Sequence, residues 1–517
     1  MSPCSAPAAF RSRSTRIRRW RRSPAKRAGK SSDRRLAAAF VLRPSKSARA
    51  LALSALLCCP PAALAQDALP AAVNRVLAHY GIPRDNYSVW VRDLVEDQPL
   101  LSHRADVPRK PASVIKVLTG WLTLEGLGPE YRWITRVHLG GELRNGVLDG
   151  PLILEGRGDP HLVMERVWLL QQKLRQKGLR RIDGPLVLDD RWLPADDTPV
   201  AGFEADRHRS FSASPYALLM NFQAIRIIVE PDHARGRVHA RLEPPLSGLD
   251  LVNRLRLSNE RCGGFQRGVA VRISGEGDSR VELDGNYSRR CNSYSISRRA
   301  LSGPAYAYGL FETLWREGGG EISEGFRLGS APEDAEPWLE FKSEFAFQAV
   351  RFMNKHSNNV MARQLLLTLG AEMFGPPATL DKARKAAGEV LIRAGLELPS
   401  LVLDNGSGLS RVSRISAADL GRLLVHAGRG PRFHELAASL PIAGRDGTLT
   451  KTYKETPFGG RAHIKTGSLN GVSAIAGYVL ADSGRRLAVV ALLEHPLAAK
   501  GPGEEAHGQL LTAISRH

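Results

Sequence analysis

The sequence predicts a mixed α/β fold, because segments with the apolar periodicity of helices are followed by segments with the pattern of strands. Apolar residues recur at helical spacing after Pro111, and again on both sides of residues 355–359. Residues 462–493 have the pattern of a three-stranded antiparallel meander, with Asp482–Gly484 as a hairpin turn. Composition agrees with a globular chain, since 43% of the residues are hydrophobic and 24% are charged.

The charge of the chain is concentrated at its N-terminus. The 517 residues have a formal net charge of +21, which alone would suggest a nucleic-acid-binding protein. Residues 1–50 contain 15 Lys or Arg and one acidic residue, whereas residues 66–517 have a net charge of only +7. The basic character therefore belongs to a leader, and we expect no nucleic-acid partner. The remaining length suggests about two to three domains.

The leader has the features of a secretory signal. Basic residues precede an uncharged apolar stretch from Leu51, and Ala63-Leu-Ala65 supplies the small residues of a cleavage site. We expect cleavage after Ala65 and a periplasmic or secreted protein. The apolar stretch is too short and too Pro-interrupted to span a bilayer, so no stable transmembrane segment is expected after processing. The leader is atypically long, which suggests that translation starts nearer Val41. The alternative to an export signal is a disordered nucleic-acid-binding arm.

Two cysteines remain in the predicted mature chain. Cys262 and Cys291 lie 29 residues apart in a region rich in Gly and Ser. In an oxidising compartment such a pair is expected to form a disulfide. Two unpaired buried thiols remain the alternative, because the sequence does not fix the distance between them.

The first chemical motif is Ser113-Val-Ile-Lys116. The surrounding apolar periodicity places Ser113 in the first turn of a buried helix, with Lys116 one turn later on the same side. Burial disfavours the ammonium form of lysine, so the neutral amine can accept the proton of a serine nucleophile. The helix N-terminus supplies N–H groups where an oxyanion would form. By itself the motif is weak, since Ser23-Pro-Ala-Lys26 repeats it in the leader.

The second motif is Ser357-Asn-Asn359. It lies at a polar junction between two apolar helical segments. A hydroxyl and an amide at this junction can relay a proton and bind a peptide carbonyl. The competing interpretation is a helix cap, because Ser and Asn are preferred at caps. Ser468-Leu-Asn470 repeats the pattern elsewhere, so this motif alone would favour the cap.

The third motif, Lys465-Thr-Gly467, is the most specific. It begins the C-terminal strand meander and is followed by Ser468. Lys465 and Thr466 are expected to project from a strand, and Gly467 to leave room for the close approach of a substrate backbone.

Together the three motifs resemble those of the penicillin-recognising serine enzymes. Ser357 and Lys465 are 108 residues apart, whereas Ser113 and Ser357 are 244 apart, which indicates roughly 200 inserted residues. This arrangement is similar to the D-alanyl-D-alanine carboxypeptidase/endopeptidase family of low-molecular-mass class C penicillin-binding proteins, peptidase family S13. The segment Gly406-Ser-Gly-Leu-Ser-Arg411 is similar to a segment of that family, and it is also predicted to be a turn.

The resemblance implies a β-lactamase/transpeptidase-like catalytic domain with a central five-stranded antiparallel sheet beside a helical cluster. This domain is expected to be discontinuous, formed by residues 66–132 and 338–517. Residues 133–337 would form strand-rich inserted accessory domains. In this segment Asp149–Glu155 and Asp183–Asp189 are similar to each other, and each reads as a turn that leads into an apolar strand.

The resemblance also implies the chemistry. Ser113 would attack the penultimate D-alanine of a peptidoglycan stem peptide with Lys116 as base, and β-lactams would acylate the same serine. Ser357 would pass a proton to the leaving D-alanine, and Asn359 would hold the peptide. The site residues that the resemblance assigns to the terminal carboxylate and the oxyanion are Lys465, Thr466 and the backbone of Ser113 and Ser468.

Two other functions share some of these features. A secreted serine β-lactamase or esterase would have the same three motifs, although the large insertion argues against it. A catalytically silent wall-binding protein is expected to have lost a motif, and all three are present. The 14 histidines are scattered, so no metal site is expected, and no cofactor is implied. The sequence does not decide between terminal trimming and the cleavage of crosslinks.

Overall fold

The computed structural model of the chain describes residues 68–196 and 198–517. The predicted export signal, with its cleavage after Ala65, lies outside the described residues. The α-helices in these ranges are α1 (Ala71–His79), α2 (Ile115–Gly126), α3 (Met164–Gln176), α4 (Gly303–Glu317), α5 (Ala346–His356), α6 (Asn359–Phe374), α7 (Leu380–Arg393), α8 (Ala417–Arg429), α9 (Phe433–Ser439) and α10 (Pro502–Ser515). None of these helices has the length and apolar character that crossing a membrane requires.

The strands of the same ranges are numbered in chain order. They are β1 (Tyr87–Asp93), β2 (Leu101–His103), β3 (Ile134–Leu139), β4 (Glu142–Arg144), β5 (Val147–Asp149), β6 (Leu152–Glu155), β7 (Arg181–Ile182), β8 (Leu186–Asp189), β9 (Ile225–Asp232), β10 (Arg237–Glu243), β11 (Asp250–Asn253), β12 (Arg256–Ser258), β13 (Val269–Ser274), β14 (Arg280–Ser288), β15 (Tyr294–Arg298), β16 (Glu321–Ile322), β17 (Phe326–Leu328), β18 (Leu339–Lys342), β19 (Ala462–Leu469), β20 (Val472–Leu480) and β21 (Arg486–Glu494).

The central sheet is antiparallel, with the strand order β19-β20-β21-β1-β2. Helices α1 and α10 cover one face, and α2 with α5 to α9 cover the other. Successive side chains of β21 alternate between the two faces: Leu487 and Val489 pack with α1 and α10, whereas Ala488 and Val490 pack with the helical cluster. Burial on both faces explains the uninterrupted apolar sequence of this strand. The predicted five-stranded sheet beside a helical cluster is confirmed.

Helix α2 lies inside the helical cluster and packs against α5, α6, α7, α8 and α9. Its residues Ile115–Leu124 are all buried, so the helix is enclosed on every side. Lys116 is the one charged residue of this buried stretch. Its amine therefore needs polar partners inside the protein, and these are described with the site below.

Four further sheets are built from β3 to β18, and they share a hydrophobic core with α3 and α4. The two similar segments predicted here end in β6 and β8, which pair in parallel with Leu152 opposite Leu186. At the far end of the insertion β18 pairs with β3, so its residues extend the same sheet slightly beyond the predicted border at residue 338. The exact division of the chain into domains stays a prediction.

A disulfide joins Cys262 and Cys291. Cys262 follows β12 and Cys291 follows β14, and these two strands are paired in parallel. The Cα atoms of the two cysteines are 5.0 Å apart. The bond thus connects the chain just beyond the ends of two adjacent strands.

Candidate active site

Ser113 lies in a single 3₁₀ turn, Ala112–Val114, that leads directly into α2. Its side chain is half-buried. Ala112 has a positive φ of 46°, a conformation that few residues other than glycine adopt. This turn presents the Ser113 hydroxyl at the start of the buried helix.

Lys116 contacts the serine across one helical turn. Its Nζ lies 3.0 Å from Ser113 Oγ and 2.7 Å from Asn359 Oδ1, and it also donates to the backbone carbonyl of Ser407. Complete burial lowers the pKa of Lys116 well below its usual value, and the positive charge of Lys465 lowers it further. The amine is therefore held beside the hydroxyl in an environment that favours its neutral, proton-accepting form.

The junction between α5 and α6 contains both helix caps and a residue of the site, which the sequence alone could not tell apart. Ser357 ends α5 in a left-handed conformation with φ of 55°. Asn358 is the cap of α6, because its Oδ1 accepts from the N–H of Met361 at 3.0 Å. Ser357 is thus the C-terminal cap of α5 through its backbone, Asn358 caps α6, and Asn359 is left for the site, whereas the role of the Ser357 hydroxyl stays a prediction.

Asn359 is fixed from two sides. Its Oδ1 accepts from Lys116, and its Nδ2 donates to the backbone carbonyl of Phe211 at 3.1 Å. Phe211 belongs to a loop of the inserted segment. Asn359 therefore links Lys116 to a part of the chain that lies outside the three motifs.

Lys465 lies within β19 and is completely buried. Its cross-strand partner Ala476 packs in the helical cluster, which places Lys465 on the same face of the sheet as Lys116. Burial lowers the pKa of Lys465 to about 7, and its Nζ donates to the carbonyl of Thr466 at 2.7 Å. Lysines with lowered pKa values are typical of functional sites, and an anion such as a carboxylate bound beside Lys465 would favour the charged form of this lysine.

Gly467 lies against the turn that contains Ser113. A Cβ at this position would lie 2.8 Å from the carbonyl oxygen of Pro111 and 2.9 Å from the nitrogen of Ser113. The glycine therefore allows β19 to pack against the turn of the nucleophile. This close contact within the chain is shown by the structure, and the close approach of a substrate backbone stays a prediction.

The loop that contains Gly406 and Gly408 is the part of the site that the motifs missed. Its carbonyls accept from α2: Ser407 O accepts from Lys116, and Gly406 O accepts from Thr119 Oγ1 at 2.7 Å. Gly408 has a φ of 81°, and a Cβ there would lie 2.0 Å from the carbonyl oxygen of Ala112. The sequence indicated a turn here, but a backbone acceptor leaves no side-chain signal.

Thr466 and Ser468 line a cavity of about 190 Å³ beside β19. Hydroxyl groups of Thr448 and Ser473 also line it, and Thr448 Oγ1 lies 3.5 Å from Thr466 Oγ1. Ser113 and Lys116 are not among its lining residues, so the cavity adjoins the catalytic groups without enclosing them. Across residues 68–196 and 198–517, no three His, Cys, Asp or Glu side chains are grouped as a metal site would need.

The structure thus brings a serine hydroxyl, a buried amine whose pKa is lowered and the motif strand β19 to one place. The backbone of Ser113 lies against β19 at Gly467, next to Ser468. Backbone N–H groups at such a junction can stabilise an oxyanion. These are the groups that acyl transfer through a covalent serine ester requires.

Comparison with known proteins identifies the family. The D-Ala-D-Ala carboxypeptidase 3 (S13) family matches residues 69–513. The D-alanyl-D-alanine carboxypeptidase DacB of Haemophilus influenzae is 23% identical over 408 residues, which cover 78% of this chain and 84% of that protein. The D-alanyl-D-alanine carboxypeptidase of Actinomadura sp. is 28% identical over 415 residues, which cover 77% of this chain and 75% of that protein.

A solved structure shows the same fold. The crystal structure of penicillin binding protein 4 (dacB) from Haemophilus influenzae matches with a TM-score of 0.72 and 21% identity, and it covers 86% of this chain and 99% of that one. The fold class and the resemblance predicted from the three motifs are both confirmed. With a family match that spans most of its length, the chain belongs to the D-Ala-D-Ala carboxypeptidase 3 (S13) family.

Proposed function

We propose that this protein is a serine DD-peptidase that hydrolyses the D-alanyl-D-alanine end of peptidoglycan stem peptides. The observation that carries the proposal is the 3.0 Å contact between Ser113 Oγ and the amine of Lys116, whose pKa is lowered by burial. Membership of a family of D-Ala-D-Ala carboxypeptidases supports the substrate class.

Acylation begins at Ser113. Its oxygen attacks the carbonyl carbon of the penultimate D-alanine while its proton passes to the neutral amine of Lys116. The N–H groups of Ser113 and Ser468 stabilise the oxyanion of the tetrahedral intermediate. Ser357 then relays the proton held by Lys116 to the nitrogen of the leaving D-alanine as the C–N bond breaks. Water hydrolyses the resulting ester, which returns a proton to Ser113 and releases the shortened peptide as a carboxylic acid.

Substrate binding uses the remaining motif residues. Lys465 and Thr466 bind the terminal carboxylate, and binding of this anion raises the pKa of Lys465 and holds it charged. Asn359 keeps Lys116 in place and holds the peptide chain. β-Lactams acylate Ser113 as inhibitors; a complex of the Haemophilus influenzae penicillin binding protein 4 with a β-lactam supports this assignment.

The location follows from the substrate. We propose that residues 1–65 export the chain, with cleavage after Ala65, and that the enzyme acts in the periplasm or outside the cell. Residues 66–132 and 338–517 form the catalytic domain, and residues 133–337 form the accessory insertion.

A penicillin-labelling experiment tests the function. Wild-type protein is expected to be labelled covalently by a fluorescent penicillin and to release D-alanine from a pentapeptide ending in D-Ala-D-Ala. Ser113→Ala should abolish both. The labelling rate should rise as the pH passes upward through the lowered pKa of Lys116, because only the neutral amine accepts the proton.

The outcomes separate the alternatives. Rapid turnover of penicillin without release of D-alanine would identify a β-lactamase. Absence of label on a folded wild-type protein, with folding checked by circular dichroism, would exclude a penicillin-recognising enzyme altogether.

A further inference from the structure

A groove of about 490 Å³ runs along the outer face of α5. Arg351, Phe352 and His356 of α5 form one wall, and Asp446 and Gly447 form another. We call this feature the α5 groove. Its volume lies within the range of roughly 300–1,000 Å³ that is typical of sites for small organic ligands.

Both walls of the α5 groove lead to the catalytic motifs. The residue after His356 is Ser357, and the residue after Gly447 is Thr448, whose hydroxyl lies 3.5 Å from that of Thr466. An ion pair of 2.6 Å between Lys355 and Asp446 connects the two walls. Two residues that line the groove, His356 and Gly447, are thus the direct chain neighbours of Ser357 and Thr448, on the side where the proposed reaction releases its leaving group.

Aromatic rings form the apolar surface of the α5 groove. Phe352 lies 4.4 Å from His356 and 4.6 Å from His161 between ring centroids, and it stacks on Phe222 at 5.4 Å. A continuous row of rings of this kind suits the aliphatic parts of a bound chain. The row also joins α5 to His161 and Phe222 of the inserted segment.

The charges of the α5 groove are unbalanced. Its two carboxylates already have cationic partners: Glu344 pairs with Arg166 at 2.8 Å, and Asp446 pairs with Lys355. Arg351 is exposed and has no ion pair with any residue that the structure describes. Its charge contributes to the lowered pKa of Asp446, but its guanidinium is left without a directly bonded carboxylate and can accept one from a ligand.

We propose that the α5 groove binds the leaving strand of a crosslinked substrate, a second stem peptide, with a carboxylate of that peptide on Arg351. The inference rests on the proposed function. In terminal trimming the leaving group is a single D-alanine, which ends at Thr466. In a crosslink the leaving amine belongs to another peptide, which has to continue past Ser357 and Thr448. The groove lies along that path, so it adapts the site to cutting crosslinks.

A ratio of two activities tests this proposal. The full-length enzyme is given a crosslinked muropeptide dimer and, separately, a monomeric pentapeptide ending in D-Ala-D-Ala. Arg351→Glu is expected to lower the ratio of kcat/KM for the dimer to that for the pentapeptide by about tenfold or more, mainly through KM. Arg351→Gln should lower the ratio less, because it removes the charge without reversing it.

The control is Arg75→Glu, since Arg75 is an exposed residue in the middle of α1. It should keep the wild-type ratio. An unchanged ratio in Arg351→Glu, or an equal fall in Arg75→Glu, would overturn the inference. Trimming of the pentapeptide without any cleavage of the dimer by wild type would also overturn it while sparing the proposed function. Failure on both substrates would instead refute the function itself.

Discussion

Two neighbouring asparagines show how one amide caps a helix while the next serves the site. Asn358 accepts from the N–H of Met361, whereas Asn359 contacts Lys116 and the Phe211 carbonyl. Both residues have the same side chain and similar partial exposure. Only their positions in the first turn of α6 decide which group each one meets.

This difference predicts opposite effects of the same substitution. Asn358→Ala should lower the free energy of unfolding by about 1 kcal/mol through the loss of the cap, with penicillin labelling nearly unchanged. Asn359→Ala should lower the acylation rate on the order of 100-fold, because Lys116 loses a positioning partner. Chemical denaturation and stopped-flow acylation measure the two quantities. Equal losses of activity in both variants would contradict the separation of roles.

Lys116 could be predicted from the sequence as the partner of Ser113, whereas the backbone carbonyl that accepts from its amine could not. Helical geometry fixes the approach of residues three apart, so Ser113 and Lys116 could be paired without a structure. The Ser407 carbonyl is 291 residues from Lys116, and every residue carries a carbonyl. Which one faces a buried amine depends on packing that the sequence pattern does not specify.

Among the elements, the contact between β19 and the turn of Ser113 is set by glycine. Gly467 removes the atoms that would collide with the carbonyl of Pro111 and the nitrogen of Ser113. The distance between the strand and the turn also sets the distance between the N–H groups of Ser113 and Ser468. One missing side chain thus determines the width of the proposed oxyanion site.

Gly467→Ala should therefore impair catalysis. The added methyl group has to push β19 away from backbone atoms that cannot rotate aside, so the acylation rate should fall on the order of 100-fold. The matched control is Gly388→Ala in α7, where no atom lies within 4 Å of the added Cβ. It should leave acylation unchanged and stabilise the helix by up to about 1 kcal/mol. Wild-type acylation by Gly467→Ala would show that the contact is dispensable.

Strands were predicted where periodicity was strong and their partners were near in sequence. The meander that became β19, β20 and β21 is such a case, because each strand pairs with the next. The addition of β1 and β2 to that sheet came only from the family resemblance. The pairing of β18 with β3 was missed, since short strands separated by about 200 residues carry no pairing signal.

On the scale of the whole molecule, the insertion has a hydrophobic core built mainly from its own strands and helices, and a disulfide. The bond joins Cys262 and Cys291, which are 29 residues apart in sequence. None of the proposed catalytic residues lies between them. The insertion could be predicted from the sequence because Ser113 and Ser357 are 244 residues apart. The arrangement of its four sheets was not predictable, because short strands of similar composition allow many pairings.

The double variant Cys262→Ser/Cys291→Ser should loosen this region without silencing the enzyme. The loss of loop closure costs on the order of 3–4 kcal/mol locally. Hydrogen exchange should rise in β12, β13 and β14, while the penicillin-labelling rate stays near that of wild type. A reductant should act on the wild-type protein in the same way. Loss of labelling together with the disulfide would show that the catalytic domain depends on the bond.

The central sheet has one further consequence, which concerns the order of events during synthesis. Strand β1 pairs with β21 over seven residue pairs, from Tyr87 opposite Leu493 to Asp93 opposite Leu487. These partners are about 400 residues apart, so the sheet cannot close until residues 487–493 have been synthesised. A nascent chain that already carries the Ser113 turn, α6 and the loop around Ser407 still lacks β19. The proposed site can therefore be complete only after β19 and β21 have been synthesised, and covalent labelling by penicillin is expected to report that these strands have joined the sheet.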